Sequence, residues 1–397
     1  MSPALSQFGR LTVTLAIVTI GWVIGGGVAT GRIAGSGLYA IAAASLLAVG
    51  LYSSTYGIDR AELADDRWLV VRAATVGVML KALLIAGAML VIWRDPQLAV
   101  LGVAVAQVDP LSVTAIGNRR GMTSRARTIL TSWASFDDPV TALLTVYISV
   151  FAIKASHRSL ADLGSIGGST RDLLVGVALA IGLALTALVI RRVLQRQARA
   201  GRSIATIRVA ESFALVGFLV LAVAEFVMLF AALLGLILRP AWLKPWITRI
   251  ATGAYFAAAL ALGLVLTPSV RAVLVGVALG IAAVLAHVVT ALLLTRGLPP
   301  QDRAYLALGQ QNGITAITLA LLLEPYFPDT VAIVAVAVLV VNVLYVINNL
   351  SFERIVRRRS RAPKPDLRSD PPLRYAGSSR ETPGRRTGPA FAAHRCR

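Results

Sequence analysis

Apolar residues dominate every side of the chain's long segments, from Leu11 to about Leu350, and only short polar gaps interrupt them. Crossing roughly 30 Å of hydrocarbon takes about 20 helical residues, and runs of that length recur along the chain. The pattern predicts helices near 11–30, 35–54, 72–92, 99–116, 128–152, 172–193, 249–266, 270–295, 304–323 and 330–350. Residues 203–243 read as one long helix or as a tight pair joined at Glu225. Strands of a transmembrane barrel would alternate polar and apolar positions, so a barrel is excluded. The first apolar run is longer than a signal-peptide core and leads directly into further spans, which predicts a retained helix.

Composition agrees with this pattern. The 397 residues are 57% hydrophobic and 15% charged, and the mean hydropathy of +0.75 exceeds what one water-soluble core absorbs. The formal charge of +20 would suggest nucleic acid in a soluble protein. Here it is concentrated between the apolar runs and in the tail: Arg119, Arg120, Arg125 and Arg127; Arg191, Arg192, Arg196, Arg199 and Arg202; then Arg357, Arg358 and Arg359. That is a positive-inside signature, and no basic segment is interleaved with base-stacking aromatics, so DNA and RNA are not expected partners. The basic loops on either side of residues 203–243 must share one face, which requires an even number of crossings between them. The total is then about twelve helices, with both termini cytoplasmic in a plasma membrane and the loop around Glu324 and Asp329 outside. Residues 1–356 form the membrane domain. Residues 357–397, rich in Arg, Pro, Ser and Gly, form a disordered basic cytoplasmic tail whose arginines can touch anionic lipid. A single cysteine, Cys396, excludes a disulfide framework.

Acids inside spans carry the candidate chemistry, because a charge in hydrocarbon is costly and marks function by default. Asp109 lies near the midpoint of the fourth predicted helix, and Asp137 and Asp138 lie near the midpoint of the fifth. Each site is followed by proline, Pro110 and Pro139, which removes an amide donor and frees a carbonyl one turn back. At Asp109-Pro110 this predicts a helix broken in two; at Pro139 a kink suffices, leaving the Ser135 carbonyl unpaired. Ser112, Thr114 and Ser135 are supporting polar groups. Gln310-Gln311-Asn312-Gly313 interrupts the predicted helix 304–323. Corresponding breaks in the two halves of a chain point to an inverted-repeat transporter, with its site where the broken helices cross at the midplane. A buried carboxylate there can hold a proton or a small cation but not both, which is what exchanging one for the other requires. Asp137 and Asp138 are expected to titrate as a coupled pair. Lys81, about nine residues from either end of its predicted helix, is too deep to snorkel and needs a partner or water. His287 is either a satisfied core histidine or a counter-charge for the acids. The spacing of Gly21 and Gly25 favours close helix packing.

The stretch Val105-Ala106-Gln107-Val108-Asp109-Pro110-Leu111-Ser112-Val113, then Arg125 to Leu130, then Ser132-Trp133-Ala134-Ser135-Phe136-Asp137-Asp138-Pro139, resembles the monovalent cation/proton antiporters of the sodium/proton exchanger superfamily. The polar break Gly309 to Gly313, followed by Ile314-Thr315-Ala316-Ile317, and Gly57-Ile58-Asp59 match as well. The resemblance implies an all-α membrane fold with two crossed discontinuous helices. Scaffold helices would lie near 11–54 and 203–266, and core helices near 72–152 and 270–350. It implies a homodimer, Asp138 as main ion and proton carrier, and Asp137 paired with a basic residue on a late helix. That basic position falls on His287, where relatives carry Lys or Arg; Lys81 is the other candidate. Val108 stands where Thr is usual, and Trp133 stands where electroneutral exchangers have Glu. The sequence is therefore similar to the paired-aspartate branch without its lysine.

The expected function is secondary antiport of a monovalent cation, sodium first and lithium or potassium next, against protons by alternating access, serving pH homeostasis. Asp137 and Asp138 would ligate the transported cation, and no cofactor is expected. Alternatives on the same fold are a potassium-efflux system or cation channel, or a relative that no longer transports. An intramembrane aspartyl protease needs a Gly-x-Gly-Asp setting that Phe136-Asp137-Asp138-Pro139 does not supply, and no enzymatic activity is expected.

Overall fold

The computed structural model describes residues 3–26, 36–58, 67–109, 122–155, 170–309 and 313–361. Its helices are α1 (Pro3–Gly25), α2 (Gly37–Tyr56), α3 (Arg67–Arg72), α4 (Val78–Trp93), α5 (Pro96–Ala104), α6 (Ser124–Ala155), α7 (Thr170–Arg199), α8 (Ile204–Ala224), α9 (Met228–Ile237), α10 (Ile247–Val265), α11 (Val270–Leu294), α12 (Pro300–Ala307), α13 (Ile314–Leu323) and α14 (Thr330–Arg361). A π turn, Ala73–Gly77, runs continuously from α3 into α4. With α3–α4 and α12–α13 each taken as one segment, the described residues hold twelve helical segments and no strand. Among them, seven helices are long and apolar enough to cross a membrane, and α1, α9 and α13 are shorter apolar ones. The chain divides into a unit of residues 1–352 and a unit of residues 353–397. Within the second, the end of α14 is the described part, and the predicted tail otherwise lies outside the described residues.

Several predicted boundaries move. The helix expected at 172–193 continues to Arg199, so Arg191, Arg192, Arg196 and Arg199 ride on the last turns of α7, where cations meet the negative helix end. The last helix runs to Arg361, beyond the expected 350. The ambiguous block is a pair joined at Glu225: α8 ends at Ala224, and Phe226 takes a left-handed φ of 50° before α9. Its second member is ten residues long, about 15 Å, half a hydrocarbon thickness.

Local chemistry explains the helix ends. Asp95 caps α5 by accepting from the Gln97 amide at 3.0 Å, with Pro96 pre-set for the first turn. Ser36 and Ser269 cap α2 and α11 in the same way. Thr123 opens α6: its hydroxyl accepts from Ala126 N and donates to Asp302 on α12, joining two helices that flank the site. Arg239 gathers the end of α2, donating to the Thr55 and Ile58 carbonyls at 2.9 and 2.6 Å. Small residues set the closest packing. A Cβ on Gly21 would stand 3.0 Å from the Gly263 Cα, so α1 and α10 touch backbone to backbone, as the Gly21 and Gly25 spacing predicts.

Candidate functional site

The end of one helix and the gap between two others meet in the interior. Helix α5 ends at Ala104, and Val105 to Asp109 continue without helical geometry. Within the predicted span 99–116 the described helix therefore stops at Ala104, and Asp109 lies beyond that end and not within a helix. Across from it, α12 ends at Ala307 and α13 starts at Ile314 with Gly313 as N-cap, so the predicted span 304–323 breaks from Leu308 onward. Pro110, Ser112 and Thr114 lie outside the described residues, as do Gln311 and Asn312. Gly313 does not. A Cβ there would stand 2.7 Å from Asp109 Oδ1 and 3.1 Å from its Cγ, so the Asp109 carboxylate rests against the start of α13. A helix N-terminus carries partial positive charge and favours an anion at that place.

Helix α6, 32 residues or about 48 Å, passes beside both breaks. Pro139 lies inside it, and the helix stays continuous. Asp137 is fully buried and Asp138 is 1% exposed. Asp137 Oδ2 accepts from the Val108 amide at 2.8 Å, which ties α6 to the broken backbone beyond α5. The same oxygen pairs with the Lys81 ammonium, an ion pair with both side chains buried. Asp138 faces Asp109, Asp137 and the Thr315 side chain of α13. Asp138 Oδ1 and Thr315 Oγ1 are both buried without a hydrogen-bond partner. Asp137 Oδ1, Thr141 Oγ1 and Gln107 Oε1 are buried and unpartnered as well. Buried polar atoms of native proteins are nearly always satisfied. Carboxylate, hydroxyl and amide oxygens without donors suit a hard monovalent cation or a proton. The Ser135 hydroxyl is not among them, because it donates to the Thr131 carbonyl at 2.8 Å.

Of the two candidate counter-charges, the structure brings Lys81 to the acids and not His287. His287 Nε2 meets the Leu306 carbonyl at 3.1 Å, in the last turn of α12, and its ring lies 5.5 Å from that of Trp133. Lys81 Nζ stands 5.4 Å from the same Trp133 ring. The indole that replaces an expected acid thus lends its electron-rich face to the lysine. The π turn sets this register. One extra residue rotates the downstream helix by about 100°, and Gly77 at the end of the turn packs where a Cβ would stand 3.4 Å from Trp133 Cζ2. Sequence patterning carries no signal for a π turn. It also misses Arg10 on α1, whose Nη1 lies 3.5 Å from Asp109 Oδ2.

Helix ends gathered around buried carboxylates, within a bundle of long apolar helices, define a polytopic helical membrane protein with a polar interior. The description "sodium/hydrogen exchanger, transmembrane" matches residues 1–358, and the chain belongs to that family. It is a family of transporters. A solved structure of the sodium proton antiporter MjNhaP1 from Methanocaldococcus jannaschii at pH 8 aligns with 90% of this chain and 99% of its own, with a TM-score of 0.63 at 14% identity. An electron-microscopy structure of the same antiporter aligns with 81% of this chain and 84% of its own, at TM-score 0.59 and 15% identity. The fold is that of these antiporters. No curated protein sequence matches the chain.

Proposed function

We propose that the protein exchanges a monovalent cation, sodium in the first place, for protons across the plasma membrane by alternating access, with Asp138 as the carrier. The observation that carries this reading is Asp138 itself: buried on α6, facing Thr315 and Asp109, with an oxygen that no protein group satisfies. The charge balance of the interior gives the chemistry. Lys81 pairs with Asp137 and Arg10 with Asp109, so of these three acids Asp138 is the one without an ion pair among the described residues. A proton or a cation neutralises it, and either excludes the other. Asp137 has a free oxygen turned to the same region, so a cation held by both acids would compete with Lys81. In this reading Lys81, once displaced from Asp137 by the cation, is the source of a second proton per cation, so that net charge moves.

Core helices near 72–152 and 270–350 would rock against scaffold helices near 11–54 and 203–266. In this reading α7 and α8 offer the apolar faces for a second copy: of α8, only Leu215, Phe218 and Ala222 are buried within the chain. Both termini are cytoplasmic. The test is proteoliposomes with an imposed pH gradient, challenged with sodium, lithium and potassium in turn. Cation addition collapses the gradient for the natural protein, and Asp138→Asn abolishes this. Equal collapse by both removes Asp138 from the mechanism, and cation flux without proton counter-movement replaces antiport by a channel.

A further inference from the structure

Arg10 lies at the edge of the site and is held from the opposite side. Its guanidinium stacks 4.4 Å above the Tyr255 ring of α10, and the Tyr255 hydroxyl meets Thr14 of α1 at 3.4 Å. Helices α1 and α10 are one rigid pair, because Gly21 and Gly263 bring their backbones into contact. From that pair Arg10 reaches across to Asp109 Oδ2 at 3.5 Å, while Asp109 Oδ1 rests on Gly313 at the start of α13. One carboxylate therefore has one oxygen on the crossing and the other on a residue carried by α1. The ends of this link differ in burial: the Arg10 side chain is 25% exposed and that of Asp109 is 1% exposed. At 3.5 Å the contact is longer than the 2.7–2.9 Å of a tight charge-assisted bond, as suits one that must open.

We propose that Arg10 is a positioning residue that latches Asp109 in the access state seen here and lets go in the opposite one. The inference rests on the alternating-access reading, in which α1 and α10 belong to the scaffold and Asp109 and α13 to the moving core. If the core shifts against the scaffold by several ångströms, a side chain stacked on Tyr255 cannot follow. The pair then favours one state by whatever Arg10 contributes there and not elsewhere. A plain neutralising role predicts something else. Arg10 would then support folding and turnover without changing how the two states are populated.

The experiment uses the full chain with Cys396→Ser, spin labels at Ile204 on α8 and Val91 on α4, both exposed, and distance distributions measured in lipid nanodiscs. Proton-coupled sodium flux is measured on the same variants without labels. Arg10→Gln is expected to change the ratio of the two distance populations by about fivefold or more, a typical coupling between states. It should move KM and turnover in opposite directions. Arg10→Lys, which keeps the charge, should stay within about twofold of the parent. Tyr255→Leu, which frees the guanidinium from its anchor, should shift the populations the same way and carries the test if Arg10→Gln does not fold. Unchanged populations in Arg10→Gln and Tyr255→Leu overturn the latch while leaving antiport intact. Absence of sodium-coupled proton flux in the parent overturns the antiport reading instead.

Discussion

Removing Lys81 tests the interior charge arrangement most directly. Lys81 and Asp137 are both 0% exposed, and their ion pair has no solvent to fall back on. Breaking a buried pair by deleting one partner costs about 3–5 kcal/mol, because the other charge stays behind uncompensated, whereas replacing both by neutral groups of similar volume is often close to neutral. Lys81→Met leaves the Asp137 carboxylate with the Val108 amide as its remaining donor. Asp137→Asn leaves a buried ammonium against Trp133. Each single variant should lose about 3–5 kcal/mol, and the double variant should recover most of it, a coupling energy of at least about 2 kcal/mol. At about 2 °C per kcal/mol, the low end for larger domains, each single change lowers the apparent melting midpoint by roughly 6–10 °C. Midpoints are compared in lipid nanodiscs at one scan rate, since unfolding of such proteins is commonly irreversible. The same double variant, if it transports, should exchange one proton per cation without moving charge. Single-variant losses that simply add in the double variant refute the pairing. Charge movement that survives Lys81→Met refutes lysine as the second proton source.

Two further outcomes rest on the geometry. Gly313→Ala places a methyl 2.7 Å from Asp109 Oδ1; overpacking of this kind costs about 1–3 kcal/mol, and proton-coupled flux in proteoliposomes should fall about tenfold or more with expression retained, while a variant matching the parent shows that Asp109 does not press on α13. Glu324, in the loop beyond α13, accepts from the Val331 amide at 2.7 Å, and burial raises its carboxyl above the ordinary glutamate value. The folded protein then binds this proton more readily than the unfolded chain, so the stability it contributes is fully present below the unfolded-state value and is lost as pH rises from there through the folded-state value. Midpoints recorded from pH 4 to 8 should fall less steeply for Glu324→Gln than for the parent, and identical slopes dismiss the effect.

The three membrane-buried acids are legible in the sequence because a carboxylate in hydrocarbon has few inexpensive explanations. Pro139 and Glu225 are legible for a related reason, since each interrupts an otherwise uniform apolar run. Asp109 is placed less well. Apolar patterning continues from Leu98 to Ile116 and hides a helix that stops at Ala104. The sequence leaves Lys81 and His287 as alternative partners of Asp137 and cannot choose between them, because the choice depends on helix register, including the π turn at Ala73–Gly77. Arg10 precedes the first predicted helix and reads as an ordinary flanking cation. The structure extends that helix back to Pro3 and carries the side chain 99 residues along the sequence to Asp109. Contacts of this kind are set by packing between distant segments, about which local patterning is silent.

Supplying the counter-charge from α4 and not from α11 has a consequence for coupling. The field at Asp137 depends on where an ammonium ends, not on which helix bears it, and the Lys81 ammonium ends on that carboxylate. The α11 position is then free for another task, and His287 uses it to hold the Leu306 carbonyl near the end of α12. In the state described here Asp137 and Asp109 each meet a cation, and of the three acids Asp138 is the one without an ion pair among the described residues. Moving an unpaired charge through a low-dielectric interior costs several kcal/mol, so in the proposed mechanism the core would resist crossing while Asp138 is ionised and empty. A bound cation removes that penalty, and so does a proton. On the proposed reading, obligatory exchange would need no separate gate against slippage, because desolvation of one carboxylate would make the unloaded crossing slow.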